Sequence, residues 1–128
     1  MLNGKIALVT GASSGIGRAT AAAMARNRAR VALVGRQKMA LQQEAERITA
    51  SGGEAVALTA DLGKDDDREK VVSETVARFG GLDILVNAAG TIAYGTIENT
   101  SLSDWRAMFE INLESVFVMM QLAVPYLE

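Results

Sequence analysis

Short apolar runs alternate with amphipathic segments along the chain. Four runs rich in apolar and β-branched residues, at residues 5–10, 30–35, 54–59 and 82–86, predict strands that are buried on both faces. Between these runs, apolar residues recur at helical spacing over residues 15–27, 39–49 and 65–79. The order β-α-β-α-β-α-β-α predicts an α/β fold, a doubly wound parallel sheet with right-handed crossovers and helices on both faces.

A long helix is predicted after the last strand. It opens at Ser101-Leu102-Ser103-Asp104, which has the pattern of a capping box. One apolar stripe then continues at helical spacing and comprises Leu102, Trp105, Phe109, Leu113, Val116, Met120 and Val124. We expect the middle of this stripe, with Phe117 beside it, to pack on the sheet and on a partner helix.

Neither end of the chain indicates export or membrane insertion. The most apolar segment, residues 113–127, is interrupted by Glu114, Ser115 and Gln121, and it is shorter than the roughly 20 residues that a membrane-spanning helix needs. The N-terminus has no charged leader followed by a long apolar stretch, so we expect no secretory signal. The absence of cysteine agrees with a reducing compartment. These features favour a cytoplasmic protein without a membrane partner.

The composition excludes several kinds of partner and catalytic site. A chain of 128 residues with 49% hydrophobic residues is long enough for one domain and too short for two, so we predict a single domain over residues 1–128. The 13 basic and 15 acidic residues give a net charge of −2, which argues against a nucleic-acid partner. With no Cys and no His, the chain has no thiol nucleophile, no imidazole base and no metal centre built on those residues.

Three carboxylates, Asp65, Asp66 and Asp67, open the third predicted helix. Acidic side chains in a first turn stabilise the positive end of the helix dipole. Magnesium sites built on carboxylates usually draw on substrate phosphates as well. We therefore interpret the cluster as a helix start and predict no metal site.

A glycine-rich turn, Thr10-Gly11-Ala12-Ser13-Ser14-Gly15-Ile16-Gly17, joins the first strand to the first helix. Gly11 allows a sharp turn, Gly15 allows the backbone to approach an anionic ligand, and Gly17 allows the helix to pack close to the sheet. The helix N-terminus offers free N–H groups to a phosphate, and two serines add hydroxyl donors. A tight turn without a ligand has the same pattern, but its place in a βαβ unit favours a nucleotide site.

The end of the second strand bears on the choice of nucleotide. Dinucleotide sites for NAD usually place Asp or Glu there to hold the ribose 2′-hydroxyl, whereas Arg accommodates the 2′-phosphate of NADP. This chain has Arg36-Gln37-Lys38 at that position and no carboxylate before Glu44. A solvated loop arginine is the plain alternative. The planar, permanently charged guanidinium favours NADP(H) over NAD(H).

Four motifs in one order resemble the short-chain dehydrogenase/reductase family, and together they cover the chain. The first is the spacing T-G-x-x-x-G-x-G at residues 10–17. Asp61-Leu62, after the third strand, is similar to the pair that contacts the adenine ring in that family. Asn87-Ala88-Ala89-Gly90 resembles its N-N-A-G motif with Ala in the second position, and Asn112 falls where the family carries a catalytic Asn. The resemblance implies a Rossmann-like fold present as its N-terminal half, truncated after the fourth strand and the long following helix.

The resemblance also implies a function, which is interconversion of alcohols and carbonyls of small-molecule substrates by hydride transfer with NADP(H). It implies one catalytic residue here, Asn112, which keeps a water in the family's proton relay; a backbone contact at a helix irregularity is the other role for this side chain. The implied cofactor-binding set is Thr10, Gly11, Ser13, Ser14, Gly15, Ile16, Gly17, Arg36, Asp61, Leu62, Asn87, Ala88 and Gly90. A homo-oligomer is implied as well, because the long helix commonly forms a subunit interface in the family.

The rest of the family's catalytic set is absent from these 128 residues. That set consists of a Ser on a fifth strand and a Y-x-x-x-K motif, in which the Lys lowers the pKa of the Tyr. The two tyrosines, Tyr94 and Tyr126, have no Lys four residues on. For Tyr94, in the loop after the fourth strand, a place in the substrate pocket or in packing is favoured over proton donation. We therefore predict that this chain alone is inactive.

Two other functions stay open. One is a non-catalytic dinucleotide-binding or subunit-docking module. The other is a protein with the same doubly wound sheet but a different ligand, such as a methyltransferase that uses a methyl-donor nucleoside. This alternative leaves Asn112 and the motif at residues 87–90 unexplained. In every case we expect the fourth strand to be an open sheet edge, and exposed edges and apolar stripes favour self-association.

Overall fold

Residues 1–91 and 94–127 are described by the structure, a computed structural model of the chain. Strands and helices alternate in the predicted order, as β1 (Ile6–Thr10), α1 (Gly15–Arg26), β2 (Arg30–Gly35), α2 (Lys38–Ala50), β3 (Glu54–Thr59), α3 (Asp65–Phe79) and β4 (Ile84–Val86). After β4 comes one long helix in four parts, which are α4 (Leu102–Phe109), a π-helical turn (Glu110–Glu114), α5 (Ser115–Ala123) and a 3₁₀ turn (Val124–Tyr126).

The four strands form one parallel sheet in the order β3-β2-β1-β4. β1 pairs with a strand on each side, so that Thr10 lies opposite Val34 and Val9 lies opposite Val86. The chain therefore adds strands on one side of β1 and then crosses to the other side for β4. The predicted fold class is confirmed. Because all strands are parallel, the loops that follow them meet at one edge, and the strand order reverses beside β1.

Helices cover both faces of the sheet, which explains why the strands are continuous apolar runs. All five residues of β1 are buried. On one face Leu8 packs in a cluster with residues of α3 and α5, and on the other face Val9 packs with residues of α1 and α2. Burial of one such side chain contributes about 1.5–3 kcal/mol. Alternate residues of the central strand thus hold the two helical layers to the sheet.

β4 begins two residues later than the predicted strand, at Ile84. Leu82 is buried, so the apolar pattern does mark the core. At Asp83, however, a side chain replaces part of the backbone ladder, because its Oδ2 accepts the Ile6 N–H at 2.9 Å while its own N–H donates to the Ile6 carbonyl. The other predicted boundaries agree with the structure to within about one residue.

The long helix packs on a different face from the one predicted. Its buried residues are Ser115, Met119 and Ala123, on the side of α5 that contacts α3. No residue of α4 is buried, and the predicted stripe from Leu102 to Val124 is exposed apart from Val116, which is partly buried. Periodicity could not select the face, because α5 is apolar nearly all round. The small side chains at 115 and 123 let α5 approach α3 closely.

The same helix is longer than the apolar segment of residues 113–127, whose shortness favoured a protein without a membrane span. Leu102–Tyr126 has 25 residues, and its most apolar window has a mean hydropathy of 1.4 and is 17% buried. Within the described part of the chain it is the one helix long and apolar enough to cross a membrane by length and composition. The length of this helix therefore does not exclude a membrane span, contrary to the expectation from residues 113–127, although the core helix of a soluble protein passes the same test.

Candidate nucleotide-binding site

A cavity of about 480 Å³ lies at the edge of the sheet where the strands end, and its volume is typical of small-molecule sites. Segments that follow all four strands contribute to its wall. The lining residues are Gly11, Ser13, Ser14, Gly15, Ile16, Gly17, Gly35, Arg36, Gln37, Ala60, Asp61, Leu62, Ala88, Ala89, Gly90, Thr91 and Ile111. The structure thus brings together the predicted cofactor-binding residues except Thr10 and Asn87.

Two glycines allow the turn between β1 and α1 to close tightly. Gly11 has a φ of +63°, and a Cβ built on it would lie 2.6 Å from the Ala88 carbonyl oxygen. A Cβ built on Gly17 would overlap the Gly11 carbonyl oxygen. Both obstacles are backbone atoms, which cannot swing aside as a side chain can. The turn, the start of α1 and the loop after β4 are therefore in contact with no room for side chains between them.

The first turn of α1 lines the cavity and has no side-chain cap. Ser14 occupies the N-cap position, but its hydroxyl makes no capping bond, and no acidic residue lies in the first turn. Free N–H groups at a helix N-terminus bind anions, and the helix dipole favours negative charge there. This wall of the cavity is therefore suited to a phosphate group.

Ser13 adds a second polar group at the same wall. Its Oγ is buried and has no hydrogen-bond partner among the residues that the structure describes. It lies close to the end of β2, since a Cβ on Gly35 would be 2.5 Å from this oxygen. A buried hydroxyl without a partner costs roughly 1–3 kcal/mol. A ligand hydroxyl or phosphate oxygen at this position would offset that cost.

Arg36 lies on the rim of the cavity, directly after β2. Its side chain is exposed, and none of the ion pairs found among the described residues involves it. The one acidic residue in the described lining is Asp61, which follows β3 rather than β2. The guanidinium is therefore free to bind a phosphate in the bidentate manner that suits its geometry.

The loop after β3 forms a further wall and is held by the acidic start of α3. Asp67 Oδ2 accepts the Asp61 N–H at 2.7 Å, and Asp61 Oδ1 accepts the Gly63 N–H at 2.9 Å. All three predicted carboxylates do lie in the first turn of α3. Among the described residues, no group of three or more acidic, His or Cys side chains is arranged to hold a metal ion. Besides its place at the positive end of the helix, Asp67 therefore shapes the cavity wall.

Thr10 lies behind the wall and connects two of its segments. Its Oγ1 accepts the N–H groups of Ala88 and Ala89, both at 3.1 Å, and donates to the Val86 carbonyl at 3.4 Å. These bonds join the end of β1 to the loop after β4. Thr10 and the partly buried Asn87 are outside the lining, so the structure does not bring either residue to the cavity surface.

Asn112 lies in the π-helical turn and holds the loop after β4. Its Oδ1 accepts the Thr91 N–H at 2.8 Å, and its Nδ2 donates to the Thr91 carbonyl at 2.7 Å. Asn112 is not in the lining, but both Thr91 and the neighbouring Ile111 are. The side chain thus makes the backbone contact at a helix irregularity that we considered from the sequence. Turns of this type occur frequently at functional sites.

The structure does not bring Tyr94 to the cavity, since its side chain is 93% exposed and outside the lining. The lining instead includes residues that we did not assign to the site from the sequence, namely Gly35, Gln37, Ala60, Ala89, Thr91 and Ile111. All but Ile111 end a strand or follow one. Ligands bind at the carboxyl ends of the strands in parallel sheets, so these residues could have been predicted from the sequence. Ile111 carries no signal except its position beside Asn112.

Sequence comparison connects this chain to known oxidoreductases. The family model described as short chain dehydrogenase matches residues 5–128. A protein of Thermotoga maritima described as an uncharacterized oxidoreductase is 39% identical over 125 residues, which are 98% of this chain and 49% of that protein.

Solved structures share the fold. A mutant of a Serratia marcescens short-chain dehydrogenase/reductase superposes with a TM-score of 0.95 at 36% identity, over 99% of this chain and 52% of that one. A metagenomic short-chain oxidoreductase in complex with NADP gives a TM-score of 0.92 at 33% identity, over 97% of this chain and 57% of that one. This chain spans about half the length of the relatives it matches. With the family model covering nearly all of its residues, the chain belongs to the short-chain dehydrogenase family.

Proposed function

We propose that this chain is the cofactor-binding half of an NADP(H)-dependent oxidoreductase that interconverts alcohols and carbonyls. Its family and its relatives support oxidoreductase chemistry. The observation that carries the choice of cofactor is the cavity itself, in which the glycine-rich turn, the first turn of α1 and Arg36 lie side by side.

The residues present fit a dinucleotide. The uncapped first turn of α1 suits the pyrophosphate, and the buried Ser13 hydroxyl is available for a ribose or phosphate oxygen. Asp61 and Leu62 form the wall where the family resemblance puts the adenine ring. The loop from Ala88 to Thr91 follows β4 and is bonded to Asn112 at Thr91. This position of the loop suits the nicotinamide end of the cofactor.

Arg36 supports NADP(H) over NAD(H). A ribose 2′-phosphate at the end of β2 would give the free guanidinium an ion-pair partner, whereas a 2′-hydroxyl would leave it solvated. No described residue of the lining at the end of β2 offers the carboxylate that usually holds the 2′-hydroxyl. The similar metagenomic oxidoreductase was solved with NADP, which agrees with this preference.

In the whole protein, the nicotinamide of the cofactor would supply or accept the hydride. The residues of this chain would bind and orient. Arg36 and the start of α1 would hold phosphates, and Asn112 would fix Thr91 and with it the loop beside the nicotinamide end. We further propose that Asn112 holds the water of the proton relay, as the family resemblance implies.

These 128 residues are proposed to bind the cofactor without turnover, because they contain no Y-x-x-x-K motif. A small carbonyl or alcohol would be the substrate of the whole protein. A cytoplasmic location without a nucleic-acid or membrane partner is proposed on the net charge of −2 and on a family whose members are generally soluble.

Calorimetric titration with NADPH and with NADH tests the cofactor assignment. We expect the chain to bind NADPH at least about tenfold more tightly, because a hydrogen-bonded arginine–phosphate pair contributes on the order of 1.5–3 kcal/mol. Arg36→Ala should weaken NADPH binding by that factor and leave NADH binding nearly unchanged, since the variant removes only the partner of the 2′-phosphate.

Arg26→Ala is the matched control. Arg26 is also exposed, but it lies in the last turn of α1 and outside the cavity lining, so neither affinity should change. A preference for NADPH that survives in Arg36→Ala would contradict the role of Arg36. Carbonyl reduction by the unmodified chain would contradict binding without turnover.

The exposed apolar face of the long helix supports a second candidate, a non-catalytic dinucleotide-binding or subunit-docking module. Trp105, Phe109, Leu113 and Phe117 line an open groove of about 660 Å³ on this face. The centroids of the Trp105 and Phe109 rings lie 4.4 Å apart, so the two rings pack against each other on this face. Large exposed apolar surfaces mark sites of association, so we propose that the protein is a homo-oligomer through this face.

A further inference from the structure

The first turn of α3 contains a buried arginine. The Arg68 side chain is 2% exposed. Its Nε donates to the Leu62 carbonyl at 2.6 Å, its Nη1 donates to Asp65 Oδ1 at 3.0 Å, and its Nη2 lies 4.0 Å from Glu110 Oε1. One guanidinium therefore contacts the loop after β3, its own helix and the start of the π-helical turn.

The ion pairs alone do not account for this burial. The Asp65 side chain is 88% exposed, and Glu110 is 44% exposed and lies 4.0 Å from Nη2, so each pair by itself contributes little to stability. Burial of a guanidinium is costly unless its donors are satisfied, and an apolar side chain of similar volume would fill the same space without that cost. What distinguishes Arg68 from such a side chain is the pair of polar groups it joins, the Leu62 carbonyl and the Glu110 carboxylate.

The loop side of this contact belongs to the cavity wall. Asp61 and Leu62 line the cavity, and the carboxylates of Asp67 and Asp61 already accept the N–H groups of Asp61 and Gly63. Arg68 adds a bond to a backbone acceptor of the same loop, the Leu62 carbonyl. The first turn of α3 thus binds one backbone donor of this wall through Asp67 and one backbone acceptor through Arg68.

The helix side belongs to the segment that carries Asn112. Glu110 is the first residue of the π-helical turn, and Ile111 in the same turn lines the cavity. This turn rests on the loop, because a Cβ on Gly63 would lie 3.3 Å from Glu110 Oε1 and 3.4 Å from Ile111 Cδ1. Asn112 then transmits the position of the turn to Thr91 through two hydrogen bonds.

We propose that Arg68 is a positioning residue that holds the wall at Asp61–Gly63 and the π-helical turn of the long helix in one fixed arrangement. Its effect on ligand affinity rests on the proposed function, in which this wall receives the adenine end of the cofactor. Its effect on the two segments does not depend on any ligand. Arg68 is not itself one of the residues that line the cavity, and it acts through Leu62, which does line it, and through Glu110.

Arg68→Met tests the proposal, because it keeps an unbranched side chain that reaches about as far as the arginine Nε and removes all the donors. We measure backbone hydrogen exchange without ligand, and the dissociation constant of 2′,5′-ADP, which carries the adenine and the 2′-phosphate. Exchange at residues 61–64 and 110–115 should rise about tenfold or more while that of β1 and β2 stays unchanged, and the dissociation constant should rise about tenfold. Asp65→Asn is the matched control and should change neither quantity.

A uniform rise of exchange over the whole chain, a rise in only one of the two segments, or an unchanged dissociation constant would overturn the positioning role. If Arg68→Met does not fold, Glu110→Gln replaces it, since Glu110 is 44% exposed and its loss leaves the Leu62 contact intact. That variant should speed exchange at residues 110–115, and no change there would overturn the link. If the unmodified chain does not bind 2′,5′-ADP, the proposed function fails, and the exchange data alone then decide the link.

Discussion

Gly17 illustrates, at the scale of one residue, how packing overrides helix propensity. It is the third residue of α1, where propensity alone favours alanine over glycine by about 1 kcal/mol. A Cβ there would overlap the Gly11 carbonyl oxygen, and the Thr10 carbonyl oxygen would lie 3.0 Å from it. Forcing a methyl group into a packed contact costs about 1–3 kcal/mol. The close contact between α1 and β1 therefore makes glycine more stabilising than alanine at this position.

Gly17→Ala should lower the free energy of unfolding by about 1–2 kcal/mol and weaken NADPH binding, because α1 must move away from β1. Chemical denaturation and titration measure the two effects. Ala19→Gly, at an exposed position of the same helix, is the control; it should cost about 1 kcal/mol of stability and leave NADPH affinity unchanged. A more stable Gly17→Ala variant would contradict the packing interpretation.

The residues of the glycine-rich turn could be predicted from the sequence, because a ligand-binding turn needs glycine at fixed spacings. Arg68 could not be predicted. It follows three aspartates at a helix start, which is the pattern of a solvated surface, but it is buried where the π-helical turn packs over the loop after β3. For Asn112 the sequence allowed a backbone contact at a helix irregularity, but its partner Thr91 could not be predicted, since the two residues belong to segments that only the fold brings together.

At the scale of elements, the long helix has one buried edge and one exposed apolar face. The buried edge consists of Ser115, Met119 and Ala123. The exposed face includes Phe109, Leu113 and Phe117, which no described element covers. Strand and helix order followed from periodicity because buried strands and amphipathic helices have different patterns. The buried edge of α5 could not be predicted from periodicity, because nearly every position of this helix is apolar. The contact with α3 determines which side of the helix is buried.

The exposed face should make the chain self-associate at micromolar concentration, as measured by multi-angle light scattering. Joint replacement of Phe109, Leu113 and Phe117 by glutamine should shift the chain to a monomer, because it removes the apolar area that drives association. Ala77→Gln, on the exposed side of α3, is the control and should leave the association unchanged. A clean monomer of the unmodified chain that melts cooperatively would contradict this expectation.

At the scale of the whole molecule, the sheet gathers the binding residues at one edge. The strand order reverses between β1 and β4, and the segments after these strands, with those after β2 and β3, line one cavity. β4 lies at the sheet edge, as expected, and has three residues. Arg26 and Arg28 lie at the opposite end of the strands from the cavity, where α1 ends and β2 begins.

A titration of the isotopically labelled chain with NADPH, followed by NMR for each backbone amide, tests the central claim most directly. We predict shifts at residues 13–17, at Arg36, at Asp61 and Leu62, and at residues 88–91, because these segments line the cavity. Amides at the opposite edge, such as those of Arg28 and Gly53, should not shift. Unchanged spectra, or shifts confined to that opposite edge, would contradict the claim that this cavity is a dinucleotide site.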